Sequence, residues 1–368
     1  MVQWKEGDEV PNSWRDFYTF HPCVPIDYTT IHRALSVAQN TRLEQTHSIC
    51  VLLRPAKYVL NKPITVNAER DVHVSIETME MPDSIPPVDE VSIETEPKKK
   101  RRSGTIRKYL TCRSVENEVE EEFNFTNSAS SCETASSSIK QKHAILTLKS
   151  QEVNKPLFCI RKGQCKLRNL KLNHISYGAD IWNGNAAVQI QPPLGLDDQP
   201  IMVSPAPTAI LDHVDITSAS GRGIVNIDGG CLAITHCYIH DCAATGIYVG
   251  GLGSQVTIDN TDVIRNGNGN SHHRRGIARG HSGIYLEQGT AKIANCNISQ
   301  NSLTGISAVS PSNAILHLED SELVSNGAFQ LEMPNIGTRA RRQSSTRNIT
   351  LMNVGFLSRS RSGFYDEN

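Results

Sequence analysis

Apolar and polar positions alternate over short stretches along most of the chain, and the alternation itself recurs. One phrase runs apolar, any, Asn/His/Asp, any, any, apolar. It reads LRNLKL from Leu167, LDHVDI from Leu211, ITHCYI from Ile234, IDNTDV from Ile258, IANCNI from Ile293, LEDSEL from Leu318 and LMNVGF from Leu351. From Leu211 to Leu318 successive copies start 23, 24, 35 and 25 residues apart. A second phrase is interleaved with the first: AVQI from Ala187, GIVN from Gly223, GIYV from Gly246, GIYL from Gly283 and GISA from Gly305. A near-constant period in this range marks a solenoid. Each unit reads as two or three short strands punctuated by Gly, Asn, Asp and Ser, with no helical periodicity. A single unit cannot bury its apolar face, but stacked units can.

The polar position of the first phrase is predicted to be a sharp corner. Asn, His and Asp are the non-glycine residues that best tolerate positive φ. The expected ladder of corners is Asn169, His213, His236, Asn260, Asn295, Asp320 and Asn353. Side-chain amides at strand spacing also hydrogen-bond up a stack, but this ladder is mixed, so the corner is the stronger reason. His213 and His236 are expected to be neighbours in it. A corner role accounts for both, and neither a metal set nor a cofactor is assigned.

Strand alternation predicts what the second phrase shows to solvent. With Ile247, Val249, Ile284 and Leu286 pointing in, Tyr248 and Tyr285 point out on adjacent coils. The outward column is read as Gln189, Val225, Tyr248, Tyr285, Ser307 and Gln330. Long inserts flank these strands at Tyr177 to Asn185, Pro192 to Thr208, Arg265 to His281 and Pro334 to Arg347. They are predicted to project and to wall a groove over the Gly-Ile strands. Trp182, His272, His273, Arg274 and Arg275 lie in these walls and join Tyr248, Tyr285 and Gln189 as candidate ligand-binding residues.

These repeats look like the right-handed parallel β-helix of the pectin-lyase-like superfamily. Their texture is closest to the carbohydrate-binding and sugar-hydrolase repeats, which also form the substrate-binding part of some F-box-only ubiquitin-ligase receptors. The resemblance covers about Leu167 to Phe356. A weaker one lies upstream, in YTTIHRALSVAQ (Tyr28 to Gln39) and ICVLLRPAKYVLNKPITV (Ile49 to Val66), which resembles the opening of such helices. There a short amphipathic helix closes the open end. Ile31, Ala34, Leu35 and Ala38 make its apolar face, and Thr29 or Thr30 caps it. Pro55-Ala56-Lys57-Tyr58 stands where the family often has Pro-Gly-x-Tyr, a departure at the turn.

The predicted fold is therefore all-β, a right-handed parallel β-helix with a short N-terminal capping helix and a disordered insertion. The organisation is read as an N-terminal segment over 1–27, the cap and first coils over 28–79, the insertion over 80–142, further coils over 143–357 and a tail over 358–368. The insertion holds an acidic part, the basic run Lys98, Lys99, Lys100, Arg101, Arg102, a second acidic run and a Ser-rich stretch. Such a composition cannot bury enough apolar area to order itself. The basic run is a candidate nuclear localisation signal.

Composition narrows the remaining choices. The formal net charge is −1, which argues against a dedicated nucleic-acid or membrane-surface protein. The start of the chain has no signal-peptide pattern and no stretch has the length of a membrane span. The expected location is cytoplasmic or nuclear. The 10 cysteines show no zinc spacing and are read as reduced and packing.

Three functions remain. The first is a non-catalytic groove that binds a protein segment or a glycan. Fewer than 30 residues precede the β-helix, too few for an F-box, so ligase recruitment does not transfer from the resemblance. The second is a polysaccharide hydrolase or lyase, whose carboxylate pair would be Glu287 and Glu332, two coils apart. At twice a strand spacing of about 4.8 Å, such a pair lies at the upper end of the separation of an inverting hydrolase, about 6.5–9.5 Å. The third is a structural rod. Self-association at the open C-terminal end of the solenoid is a further expected contact.

Overall fold

The structure, a computed structural model, describes residues 23–24, 30–40, 47–68, 72–79, 143–150, 152, 154–176, 185–197, 199–268, 281–309, 313–332, 349–352 and 355–357. Two compact units are distinguished. One comprises Met1–Ile93 with Gln141–Asn368, and the other, Glu94–Lys140, lies wholly outside the described residues. The expected disorder of 80–142, the basic run Lys98 to Arg102, Trp182, His272, His273, Arg274, Arg275 and Asn353 all fall outside them too.

The first unit is the right-handed parallel β-helix that the repeats imply. Among the described residues its strands form a long 17-stranded sheet and an 8-stranded one. Each coil contributes two strands to the long sheet, bent apart at the corner residue, and then one Gly-Ile strand to the short sheet. Leu211 pairs with Ile234, Ile234 with Ile258, Ile258 with Ile293 and Ile293 with Leu318. The offsets between successive copies of the phrase are thus the registers of the stack.

Inward columns follow from this register. Ile76, Leu167, Leu211, Ile234, Ile258, Ile293 and Leu318 succeed one another on one arm of the long sheet, and all are buried. Phe158, Val188, Ile224, Ile247, Ile284 and Ile306 do the same on the short sheet. Burying such a side chain fully contributes about 1.5–3 kcal/mol relative to leaving it exposed.

Helix α1, Ile31–Asn40, covers the N-terminal end of this core. Thr30 is the cap: its Oγ1 accepts from the Arg33 N–H at 3.1 Å. Ile31, Ala34 and Leu35 are buried on the core. At the unusual Pro55-Ala56-Lys57-Tyr58 turn, Tyr58 is buried and its hydroxyl donates to the Arg54 carbonyl at 3.0 Å, which closes the corner. The insertion enters and leaves at a corner as well. Val72–Thr78 and Ala144–Ser150 pair with the two halves of Gln164–Ser176, on either side of Asn169. The gap is bridged by the Ala144 N–H, which donates to Thr78 Oγ1 at 3.0 Å.

The corner reading holds at every described position. Asn169, His213, His236, Asn260, Asn295 and Asp320 have φ of 53°, 54°, 52°, 45°, 53° and 42°. A second corner, which the sequence reading did not separate, lies after the short strands ending at His240, Ile264, Ser299 and Val324. There Asp241, Arg265, Gln300 and Ser325 have φ of 50°, 53°, 56° and 54°.

The amide ladder belongs to this second corner. Asn266 Nδ2 donates to Asn301 Oδ1 at 3.1 Å, Asn301 Nδ2 to Asn326 Oδ1 at 2.9 Å, and Asn326 Nδ2 to Gln330 Oε1 at 2.7 Å. The asparagine oxygens also accept backbone N–H groups from the coil before: Asn266 Oδ1 from Cys242, Asn301 Oδ1 from Asn266 and Asn326 Oδ1 from Asn301, at 3.0–3.1 Å. All three asparagines are buried.

This ladder explains the glycine of the Gly-Ile phrase. A Cβ on Gly283 would lie 2.5 Å from Asn301 Nδ2 and 3.0 Å from the Gly305 carbonyl oxygen. Gly246 and Gly305 meet Asn266 and Asn326 in the same way. Glycine is needed for close approach of the next coil. The described cysteines pack, as expected: among them all but the half-buried Cys231 are buried. Burial pushes the thiols of Cys165, Cys237 and Cys296 up to about 12, which leaves them unreactive. Among the described residues no helix is long and apolar enough to cross a membrane.

A chain of charge runs over the outer face of the second arm. Lys171 Nζ is 3.1 Å from Asp215 Oδ2, and Asp215 Oδ1 is 2.9 Å from His240 Nε2. His240 Nδ1 is 2.5 Å from Asp241 Oδ2, and Arg265 donates to both oxygens of Asp241 at 2.9 Å. Burial opposes a charge on His240, but the two carboxylates outweigh it and hold its pKa above the ordinary 6.5. Burial also opposes the charge of Asp215, and the bonds from His240 and Lys171 outweigh it, so its pKa is lowered. Arg265 chiefly lowers that of Asp241.

Two outcomes follow for stability. Gly283→Ala is expected to cost about 1–3 kcal/mol by overpacking, and Asn301→Ala about 2–3 kcal/mol by stranding buried donors, both read as lowered guanidinium midpoints. His240 contributes fully below about pH 6.5, its unfolded value, and its contribution fades as pH rises through the raised folded value. The carboxylates lose theirs only as pH falls through their lowered values. The stability gap between wild type and His240→Gln, compared by urea midpoints, should therefore narrow as pH rises above about 6.5. A gap independent of pH would contradict the charged form of His240.

Candidate binding groove

The Gly-Ile sheet sets its outward residues in one line. Register pairs Gln189 with Val225, Val225 with Tyr248, Tyr248 with Tyr285, Tyr285 with Ser307 and Ser307 with Glu332. The line matches the expected column at five positions and corrects its end. Glu332 continues it, whereas Gln330 turns toward the second corner and accepts from Asn326. The reason is local: the last described strand of this sheet begins at Leu331, and the residues before it form the corner.

Tyr248 and Tyr285 stack with ring centroids 5.6 Å apart and planes inclined by 6°. The outer face of Tyr248 is occupied by Arg222, whose guanidinium carbon lies 4.4 Å from the ring centroid. Such a contact is worth about 0.5–2 kcal/mol, more when desolvated. The sequence reading missed Arg222. Its signal is weak: it stands immediately before Gly223, off the alternation, and reaches the tyrosines only by leaning across to the next coil. Burial pulls its pKa below the usual range, against Tyr248, Glu287 and Tyr285, which favour its charge.

The two candidate carboxylates both lie beside this column. Tyr248 Oη donates to Glu287 Oε2, and Ser307 Oγ donates to Glu332 Oε2 at 2.8 Å. They are not in one column, however. Glu332 is in register with Tyr285, and Glu287 stands two residues further along the strand of Tyr285. Two strand spacings of about 4.8 Å and a two-residue step of about 6.7 Å put their α-carbons about 12 Å apart. This corrects the expected separation, which left out the step along the strand.

Upstream, the floor is a chain of amides. Gln189 Nε2 donates to Gln191 Oε1 at 2.6 Å, and Gln191 Nε2 to Asp228 Oδ2 at 3.1 Å. Of the expected walls, the described one is the insert after Gln191. It folds back on itself through an antiparallel bridge between Leu194 and Pro200 and exposes Leu196 and Met202.

Chemically the groove offers stacked aromatic rings, a cation held against them and two carboxylates that accept from neighbouring hydroxyls. Burial, and then Glu287, raise the pKa of Tyr248, while Arg222 works against the rise. Tyr285 is raised for the same first reason. In a spectrophotometric titration, Glu287→Gln should therefore lower the pH at which the Tyr248 phenol ionises. Tyr248→Phe identifies that phenol by its absence, and an unchanged titration in Glu287→Gln would refute the pairing.

A sequence profile for the right handed beta helix region matches residues 157–350, just over half of the chain. No curated protein matches the chain. Among solved structures, the A-module of mannuronan C-5 epimerase AlgE6 from Azotobacter vinelandii is similar at 11% sequence identity. The match covers 85% of this chain and 84% of that one, with a TM-score of 0.34. With its parallel registers and this profile match, the chain belongs to the right-handed β-helix region family.

Proposed function

We propose that this protein is a non-catalytic β-helix receptor whose groove over the Gly-Ile sheet binds a linear ring-bearing ligand, a glycan before a protein segment. The observation that carries the reading is the Tyr248–Tyr285 stack on the outward column. Arg222 and Tyr285 occupy the two faces of Tyr248, so the face left for a ligand is that of Tyr285 toward Ser307. Ser307 is small, and a ring seated there would take the place of the Glu332 carboxylate that now accepts from it. Aromatic side chains suit the apolar face of a sugar ring, and the half-buried Glu332 supplies acceptors on the same line, whereas Gln189 and Ser307 are buried and bonded to Gln191 and Glu332.

The hydrolase or lyase reading has less support from this geometry. Glycoside hydrolysis needs one carboxyl group to act as acid and the other as base or nucleophile. Glu287 and Glu332 are both engaged with groove hydroxyls.

The test is a glycan and peptide array with the wild type beside a Tyr248→Ala/Tyr285→Ala variant of confirmed fold. Glycan binding by the wild type, lost or weakened more than tenfold in the variant (about 1.4 kcal/mol), is the expected result. Peptide binding lost in the same way would make the ligand a protein segment. Binding that survives in the variant, or none on either array, overturns the groove and leaves the rod as the better reading.

A further inference from the structure

We propose that Asp212, His213 and His236 form a surface site for a late first-row divalent transition ion such as Zn²⁺ or Cu²⁺. The three side chains are brought together by the fold. Leu211 pairs with Ile234 and Asp212 with Thr235, so His213 and His236 occupy the same corner on successive coils. Both are fixed there with φ near 50°. Their rings are stacked, with centroids 4.7 Å apart and planes inclined by 19°. Both present Nδ1 to one oxygen: Asp212 Oδ1 is 2.7 Å from His213 Nδ1 and 3.9 Å from His236 Nδ1. All three donor atoms lie within 4.8 Å of one another.

Two imidazole nitrogens and a carboxylate oxygen are the donors that Zn²⁺ and Cu²⁺ prefer. Bonds of about 2.0–2.2 Å place donors about 3–3.5 Å apart around one ion. Closing the widest separation in the present triangle, at most 4.8 Å, takes a movement of about 1–1.5 Å shared between two exposed imidazoles. The other carboxylate oxygen is already committed, since Arg168 Nε lies 3.2 Å from Asp212 Oδ2. Such an outer contact orients the ligand oxygen toward the metal side. Both histidine side chains are about half exposed, so the remaining coordination positions open to water.

The corner does not account for this arrangement. Asn169, Asn260, Asn295 and Asp320 make the same turn with the same sign of φ. Positive φ explains why a corner residue belongs to the Asn/Asp/His class. It gives no reason for two histidines in succession with an aspartate between their ring nitrogens.

That equivalence also supplies variants that keep the turn. His213→Asn and His236→Asn place at each corner the residue that neighbouring coils carry. The protein is prepared with His272→Ala and His273→Ala, which removes the adjacent histidine pair of the long insert. Zn²⁺ is titrated by calorimetry, and Cu²⁺ by electron paramagnetic resonance. The expected result is one equivalent of each ion, with hyperfine coupling from two nitrogens for Cu²⁺. Either Asn variant should weaken binding by at least about tenfold with an unchanged circular dichroism spectrum. Stoichiometric binding that persists in both variants, or no saturable binding by the wild-type corner, overturns the site.

Discussion

The interaction on which the structure depends is the hydrogen bond from a corner N–H on one coil to a side chain on the next. Within the strands the parallel ladders pair the backbone automatically. At the corners the chain leaves the ladder, and buried N–H groups must find other acceptors. The second corner uses amides: Cys242, Asn266 and Asn301 each donate from the backbone to the Asn one coil on. The first uses small side chains. Val214 donates to Cys237 Sγ, Cys237 to Thr261 Oγ1 and Cys296 to Ser321 Oγ. Both sets follow directly after the positive-φ residue, which is what turns that N–H along the axis.

The rest of the architecture follows from keeping these bonds short. An acceptor on the next coil is within reach only if the coils approach without obstruction, and this selects glycine at 246, 283 and 305. The same spacing passes to the Gly-Ile strands, which begin one residue after those glycines. Tyr248 and Tyr285 stack because their coils are locked in register at the neighbouring corner. That stack is thus a consequence of the ladder behind it. A lengthened corner, such as the one between Asn266 and His281, leaves the register of the flanking strands intact.

How far this was legible in the sequence depended on whether a position obeys a rule of its own strand. Positive φ restricts residue type, so the first corner could be read from Asn169 to Asp320. Alternation gives direction, so Tyr248 and Tyr285 could be placed. The second corner was not separated because its positive-φ residues are Asp, Arg, Gln and Ser, a set with no common chemistry. The asparagines that matter follow them in loops of changing length, and so the amide ladder was considered at the wrong corner. Arg222 escaped because alternation says which face a residue occupies but not how a long side chain leans. Gln330 was placed in the column because the last Gly-Ile strand has lost its glycine, and the phase had nothing to anchor it.

The lattice of a parallel β-helix also limits the chemistry that its face can carry. Outward residues recur at about 4.8 Å across coils and about 6.7 Å along a strand. Adjacent coils offer a pair at the first spacing, and a one-coil diagonal offers about 8 Å between α-carbons. Tyr248 and Glu287 use that diagonal, and their side chains close it with a hydrogen bond. Here the carboxylates fall two coils and two residues apart, and between them lie Tyr285 and Ser307, an aromatic face beside a small hydroxyl.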